Sequence, residues 1–300
     1  MTSAALDARA TWLGRLAKLN VSRGERGPAP NKPFLVLTLL DLFEAGLVPS
    51  SAHVRRDAQL MLRFRAYAPI AVARRGNRID LDMPWKHLAS DGLYVPTPDD
   101  AAEVRLDEHF ARLCSDAAFR ADARRTLIER YFPEDEKFAL YAATGLDAPS
   151  EAMLAAMRAG LESYERMARP GRDARFKVHV IAGYHFTCAL TGYRIETARG
   201  ASILEAAHVH AHAHAGPDSP DNGLALTPTA HRLFDEGLWT VNDDLTIRVA
   251  HEAFAEELLA ASAHFRLTDL HGRALQFHPR AALRPAVEHL RWHRRHAFVG

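Results

Sequence analysis

From Ile203 to Trp239 the chain reads ILEAAHVHAHAHAGPDSPDNGLALTPTAHRLFDEGLW, and no other stretch constrains the fold as tightly. His208 closes a short apolar run, Asn222 follows fourteen residues later beside Gly223, and His231 follows nine after that. ASILEAAHV reads as a strand ending at His208, and NGLALT as a short second strand. Between them HAHAHAGPDSPD is dense in turn residues, so no packed element is expected there. His210, His212 and His214 read as a solvated, flexible tract, with a metal-binding tract as the alternative. Pro228 suits the first turn of a helix, TAHRLFDEG continues it, and Gly237 stops it. His231 and Asp235, four apart, share one face of that helix.

A strand-end His facing a helical His and Asp makes a compact polar cluster. Such a cluster can hold a hard cation and leave a second imidazole as a base. Hydrolysis of a phosphodiester needs an activated water and a positive centre near the leaving oxygen. A neutral imidazole accepts a proton near pH 7, and a divalent cation stabilises the leaving oxygen. By this division His208 suits the base and His231 the metal, while Asn222 positions the loop or orients His208.

Leu204-Glu205-Ala206-Ala207-His208, Asp221-Asn222-Gly223-Leu224 and His231-Arg232-Leu233-Phe234-Asp235-Glu236-Gly237 together resemble the HNH endonuclease family, with its ββα-metal fold. Cys188-Ala189-Leu190-Thr191-Gly192 resembles the usual lead-in, and the likeness covers roughly residues 172–245. It implies His208 as general base, Asn222 as the structural Asn of the catalytic set, His231 as a metal ligand, and Mg²⁺ or Mn²⁺ as the ion. Ala207 stands where many relatives carry an acidic residue or His, so Glu205 or Asp235 is expected to supply the missing ligand. Thr191 and Ala230 stand where thiols would hold zinc, so no Cys-type structural zinc is expected.

A length of 300 residues suggests about two domains, and 48% hydrophobic with 25% charged residues is ordinary for a soluble globular protein. A net charge of +1 excludes a globally basic nucleic-acid binder. Any DNA surface must therefore be local, such as Arg23, Arg26 and Lys32, or Arg74, Arg75 and Arg78. Cys114 and Cys188 make no disulfide framework, no signal peptide is evident, and the chain reads as cytoplasmic. The longest apolar run, from Phe34 to Val48, is broken by Asp41 and Glu44 and is too short to span a bilayer.

Residues 5–20 read as an amphipathic helix, followed by the basic, Gly- and Pro-rich VSRGERGPAPNKP and an apolar helix closed near Gly46. Small strands and turns are expected over 68–98, and one or two helices over 106–130. Ala29-Pro30-Asn31-Lys32-Pro33, Met83-Pro84-Trp85-Lys86-His87-Leu88, Asp91-Gly92-Leu93-Tyr94 and Tyr131-Phe132-Pro133 resemble the sulfur-binding domain of phosphorothioate-dependent restriction endonucleases. This likeness covers roughly residues 10–140, although relatives often have His where Asn31 stands. Both domains together resemble type IV, modification-dependent restriction enzymes. The resemblance implies Arg23, Arg26, Lys32 and His87 as polar contacts to DNA, and Tyr131, Phe132 and Pro133 as an apolar wall. Such a wall favours sulfur over a hydrated oxygen, whose burial without a partner costs energy. The plain alternative is that Tyr131 and Phe132 are core aromatics and the arginines a solvated surface.

Residues 149–172 read as a helical connector ended by Pro170-Gly171, and FKVHVIAGY as either helix or strand. VNDDLTIRV reads as a hairpin arm, and the basic tail after His278 as a solvated helix available to phosphate. The expected protein is α+β. Residues 1–148 form a mostly helical DNA-recognition domain with short strands, 149–172 a linker, and 173–300 a ββα-metal (HNH) endonuclease domain. The expected partner is double-stranded DNA, phosphorothioate-modified, with a homodimer left open and no membrane. The alternatives are an HNH nuclease that reads a modified base or plain duplex, and an inactive DNA-binding sensor.

Overall fold

The computed structural model describes residues 3–24, 27–71, 80–95, 102–146, 155, 161–195, 202–257 and 266–300. It divides into two compact units, Met1–Arg175 and Phe176–Gly300, and both helices and short antiparallel strands build them, an α+β protein. No helix among the described residues is long and apolar enough to cross a membrane.

In the first unit, α1 (Ser3–Leu16) turns Trp12 and Leu16 into the core. A two-residue ladder, β1 (Arg23–Gly24) with β2 (Gly27–Pro28), follows it. The next helix, α2 (Asn31–Glu44), is apolar on nearly every side and is buried accordingly, from Phe34 through Leu40 and again at Leu42. Pro33 lies in its first turn, where a missing N–H costs no helical bond. Asp41 and Glu44, the charges that interrupt the run, both accept from Arg124, at 2.7 and 2.6 Å, and Tyr67 donates to Asp41 at 2.6 Å. Burial pushes the Asp41 carboxyl up, against the pull of Arg124. The first unit thus keeps its helical core continuous by pairing the two charges its apolar run contains.

Around α2 pack α3 (Ala58–Ala66) and α4 (Asp82–His87). The strands β3 (His53–Arg55) and β4 (Glu103–Arg105) pair antiparallel, with Val54 opposite Val104. Residues 106–130 divide into α5 (Glu108–Cys114) and α6 (Ala117–Tyr131), the latter packed on both α1 and α2. The break falls at Asp116, whose side chain accepts the Ala118 N–H at 3.0 Å. The strands expected over 68–98 are not found among the described residues; Ala68–Ala71 and Leu88–Asp91 are 3₁₀ turns on either side of α4. Met83-Pro84 does not end an element there, because Pro84 falls in the first turn of α4. Arg26, Arg74, Arg75 and Arg78 lie outside the described residues.

The helix α7 (Glu134–Thr144) completes this core. After it, α8 (Leu161–Gly183) runs on through Pro170 and Gly171, where the sequence predicts an end. The reason is tertiary. A Cβ on Gly171 would stand 1.8 Å from the Ala139 carbonyl oxygen, so α8 lies backbone-to-backbone on α7 there, and Ala168 is buried beside it. FKVHVIAGY is therefore the helical end of α8, with Phe176, Val180 and Ile181 buried.

In the second unit, β5 (Glu205–His208) pairs antiparallel with β6 (Gly223–Leu226), placing His208 opposite Gly223. Only glycine fits at 223, since an added Cβ would stand 2.3 Å from Val180 Cγ2. The helix α9 (Pro228–Asp235) packs on both strands. Thr227 caps it, accepting from the Ala230 N–H at 3.4 Å while its own N–H donates to Cys188 Sγ at 3.4 Å. Next come β7 (Trp239–Val241) and β8 (Ile247–Val249), an antiparallel hairpin turning through Asn242–Thr246.

The tail helix α10 (Val287–His296) differs from the solvated helix expected. Leu290 and His293 are buried, and Arg291 and Arg294 both bind Asp243. The His293 ring stacks on Phe234 at 3.8 Å, with Nδ1 2.9 Å from Thr240 Oγ1. Burial pushes its pKa down to about 4. The unfolded chain takes up this proton below about pH 6.5, whereas the folded chain refuses it until about pH 4. Stability should therefore fall as pH drops through that window, by up to about 3 kcal/mol. Between pH 7 and pH 5, urea unfolding of the wild type should lose about 2 kcal/mol more than that of His293→Phe. Equal losses would remove His293 as the cause.

Candidate functional site

In the second unit the β5–β6 hairpin and α9 bring together the residues singled out in the sequence. His208, at the end of β5, is held from two sides. Its ring stacks on Phe176 at 3.8 Å with 9° between planes, and its Nε2 lies 2.9 Å from Asp218 Oδ1. An ionised carboxylate only accepts, so this contact puts the proton on Nε2 and the lone pair on Nδ1. Asn222 is wholly buried, and its amide closes the loop between the strands. Oδ1 accepts the His210 N–H at 2.7 Å, and Nδ2 donates to the His210 carbonyl at 3.0 Å and the Pro217 carbonyl at 2.8 Å. Of the two roles read for it, loop positioning is what these bonds do.

His231 stands on α9 between two half-exposed carboxylates. Glu205 Oε2 is 2.8 Å from its Nδ1, and Asp235 Oδ2 is 3.5 Å from its Nε2. A carboxylate at each ring nitrogen asks for an electropositive centre on both sides. An N–H supplies one, and either a second N–H or a divalent cation supplies the other. Because the nitrogens face apart, one ion on His231 reaches either Glu205 or Asp235, not both. The donor set, one imidazole with a carboxylate and open solvent, suits a hard or borderline divalent ion.

The loop is more ordered than its composition suggests. His212–His214 form a 3₁₀ turn, and Gly216 N–H returns to the Ala211 carbonyl at 3.2 Å. His210 stacks on Trp292 at 4.1 Å, and its Nε2 lies 3.0 Å from the His214 carbonyl. His212 Nδ1 lies 3.5 Å from Asp218 Oδ1, so His208, His212 and Asp218 converge, their ligand atoms all within 4.8 Å of one another. In sequence, His212 reads as part of a solvated tract and Asp218 as a turn residue without a role. The only signal for Asp218 was its place in a Gly-Pro-Asp turn that must fold back on the strand.

In the first unit a cavity of about 350 Å³ is lined by Val21, Ala29, Asn31, Lys32, Met83, Pro84 and His87 among others. It lies by the start of α2 and by α4, near where Lys32 Nζ lies 2.6 Å from Asp91 Oδ2, 59 residues further along the chain. Asn31 is buried, and its Oδ1 has no hydrogen-bond partner among the described residues. Lys32 and His87, both predicted contacts, thus line one cavity. Arg23 stands exposed on β1, outside that lining. Pro133 is exposed at the start of α7.

Tyr131 and Phe132 take a different place from the pocket wall predicted for them. Tyr131 OH accepts the Leu19 N–H at 2.7 Å and donates to the Leu16 carbonyl at 3.0 Å, tying α6 to the end of α1. Phe132 stacks on Phe34 at 5.1 Å. Both are core aromatics, 4% and 5% exposed, and the apolar side of the cavity is made by Met83 and Pro84 instead.

No curated protein matches this chain. Among solved structures it is similar to a modification dependent TagI restriction endonuclease, with 26% identity and a TM-score of 0.32. That match covers 42% of this chain, which spans only 38% of the length of that protein. Residues 188–242, the stretch holding the β5–β6 hairpin and α9, match the HNH endonuclease family, and the chain carries an HNH endonuclease domain.

Proposed function

We propose that this chain is a DNA endonuclease that recognises a modified DNA backbone through its first unit and hydrolyses a phosphodiester through its second, with a divalent cation. One observation carries the nuclease half. On one hairpin and the helix packed against it, His208 is held through Nε2 by Asp218, while His231 stands between two accessible carboxylates. That arrangement separates a base from a cation-binding imidazole.

In this reading Nδ1 of His208 takes a proton from water as the water oxygen attacks phosphorus and the bond to the leaving oxygen breaks. Asp218 keeps the imidazole in the required tautomer and stabilises its charge once protonated. Phe176 fixes the ring plane, and Asn222 holds the loop that carries Asp218. His231 with Glu205 or Asp235 would hold the ion, which when bound stabilises charge on the leaving oxygen.

The recognition half is supported by the cavity beside Asn31. Sulfur in a phosphorothioate is larger, more polarizable and a weaker hydrogen-bond acceptor than oxygen. The Met83 and Pro84 surface would receive it without stripping a strongly hydrated atom. Lys32 is already paired with Asp91, which weakens its pull on an ordinary phosphate. A second reading is favoured by the unpartnered Asn31 Oδ1, an acceptor that suits a donor such as the amino group of a base.

Titration at one salt concentration of matched duplexes, with and without a stereochemically defined phosphorothioate, tests the proposal. The modified duplex should bind more tightly and be cut in Mg²⁺. Met83→Ala should shrink the preference by about 1–2 kcal/mol, roughly 5- to 30-fold. Arg23→Ala should weaken both duplexes alike and lower the salt slope by about one. Equal affinity for the two duplexes would sink the sulfur reading and leave the nuclease reading standing.

A further inference from the structure

We infer that His208, His212 and Asp218 form a transition-metal site whose occupation by Zn²⁺ switches the nuclease off. The inference rests on reading His208 as the base.

The three ligand atoms already converge. Asp218 Oδ1 lies 2.9 Å from His208 Nε2 and 3.5 Å from His212 Nδ1, and all three atoms are within 4.8 Å of one another. Small shifts would bring them to Zn–N and Zn–O distances of about 2.0–2.2 Å, since ligands around one ion stand roughly 3 Å or more apart. The frame is built rather than accidental. Phe176 sets the His208 ring, and the buried Asn222 amide ties His210 to Pro217, which brackets His212 and leads into Asp218. The neighbouring histidines are otherwise engaged, His210 on Trp292 and the His214 carbonyl, and His214 beside Trp292. His212, 42% exposed against 20% for His208, leaves a solvent-facing position for a fourth ligand.

Ligand chemistry separates this site from the one at His231. Two imidazoles and one carboxylate suit Zn²⁺ and similar borderline ions, whereas Mg²⁺ seeks oxygen and keeps its waters. The carboxylate-flanked His231 is the place for Mg²⁺.

The consequence follows from the imidazole itself. A neutral ring has one N–H and one lone pair. Binding Zn²⁺ at Nε2 of His208 requires the proton to move to Nδ1, and Asp218 exchanges its N–H partner for the metal. Nδ1 then carries a hydrogen and can no longer accept one from water. Nothing is oxidised or reduced, and the proton stays on the ring.

The experiment uses the full-length protein and Zn²⁺ alone as probe, with two independent readouts. By calorimetry, the wild type should bind one more equivalent of Zn²⁺ than His212→Ala. In plasmid cleavage at fixed Mg²⁺, His212→Ala should cut like the wild type. The Zn²⁺ concentration giving half inhibition should rise by at least about 10-fold in that variant. Equal Zn²⁺ binding by the two proteins overturns the site. Loss of the extra equivalent with unchanged inhibition overturns its role as a switch and moves the inhibition to His231. Absence of Mg²⁺-dependent cleavage in the wild type would instead defeat the nuclease reading and with it the switch, and calorimetry would still decide the site.

Discussion

His208→Ala is expected to cut DNA about 10²–10⁴-fold more slowly than the wild type, the usual loss when a general base is removed. Folding and DNA affinity should change little. The ring is a fifth exposed, and the hairpin beneath it is held by Asn222 and Gly223 rather than by the imidazole. Asp218→Asn adds a sharper readout. An amide can donate as well as accept, so it allows the tautomer with the lone pair on Nε2, turned away from water. Its rate should fall, by less than that of His208→Ala, with KM unchanged. Cleavage by His208→Ala at the wild-type single-turnover rate would remove His208 from the mechanism.

The second large effect concerns the cation. Chelation should stop cleavage, and His231→Ala should raise the Mg²⁺ or Mn²⁺ needed for half-maximal activity. The two carboxylates should not matter equally, because they face opposite nitrogens of one ring. Glu205 reaches across from β5 to Nδ1 at 2.8 Å, a contact that only the folded hairpin and helix create. Asp235 is an i,i+4 neighbour on the same helix, the kind of pair any helix surface forms. Glu205→Gln should therefore shift the metal requirement more than Asp235→Asn. Full activity in excess chelator would reject a metal-dependent mechanism outright.

Much of the second unit was legible because its signals are local. Pro228 and Gly237 bound α9, short apolar runs flanking a turn-rich loop mark β5 and β6, and Asn242-Asp243-Asp244 marks the β7–β8 turn. His231 and Asp235 share a face by spacing alone. In the first unit the apolar run of α2 announced a buried helix just as plainly. What remained illegible depends on contacts between segments distant in sequence, which no periodicity records. Pro170-Gly171 is a helix-ending signal, overridden because α7 offers its backbone to Gly171. Tyr131 and Phe132 could have lined a pocket or a core, and the N–H of Leu19 and the ring of Phe34 decided for the core. Asp218 gained its partner His208 only when Asn222 drew Pro217 back across the loop. Backbone propensity and hydrophobic period act within a few residues, so the chain alone marks most of its elements but not where every one of them ends. The partners of a buried or half-buried polar group are set by whichever segments the packed core brings within about 3 Å, and that only the tertiary structure decides.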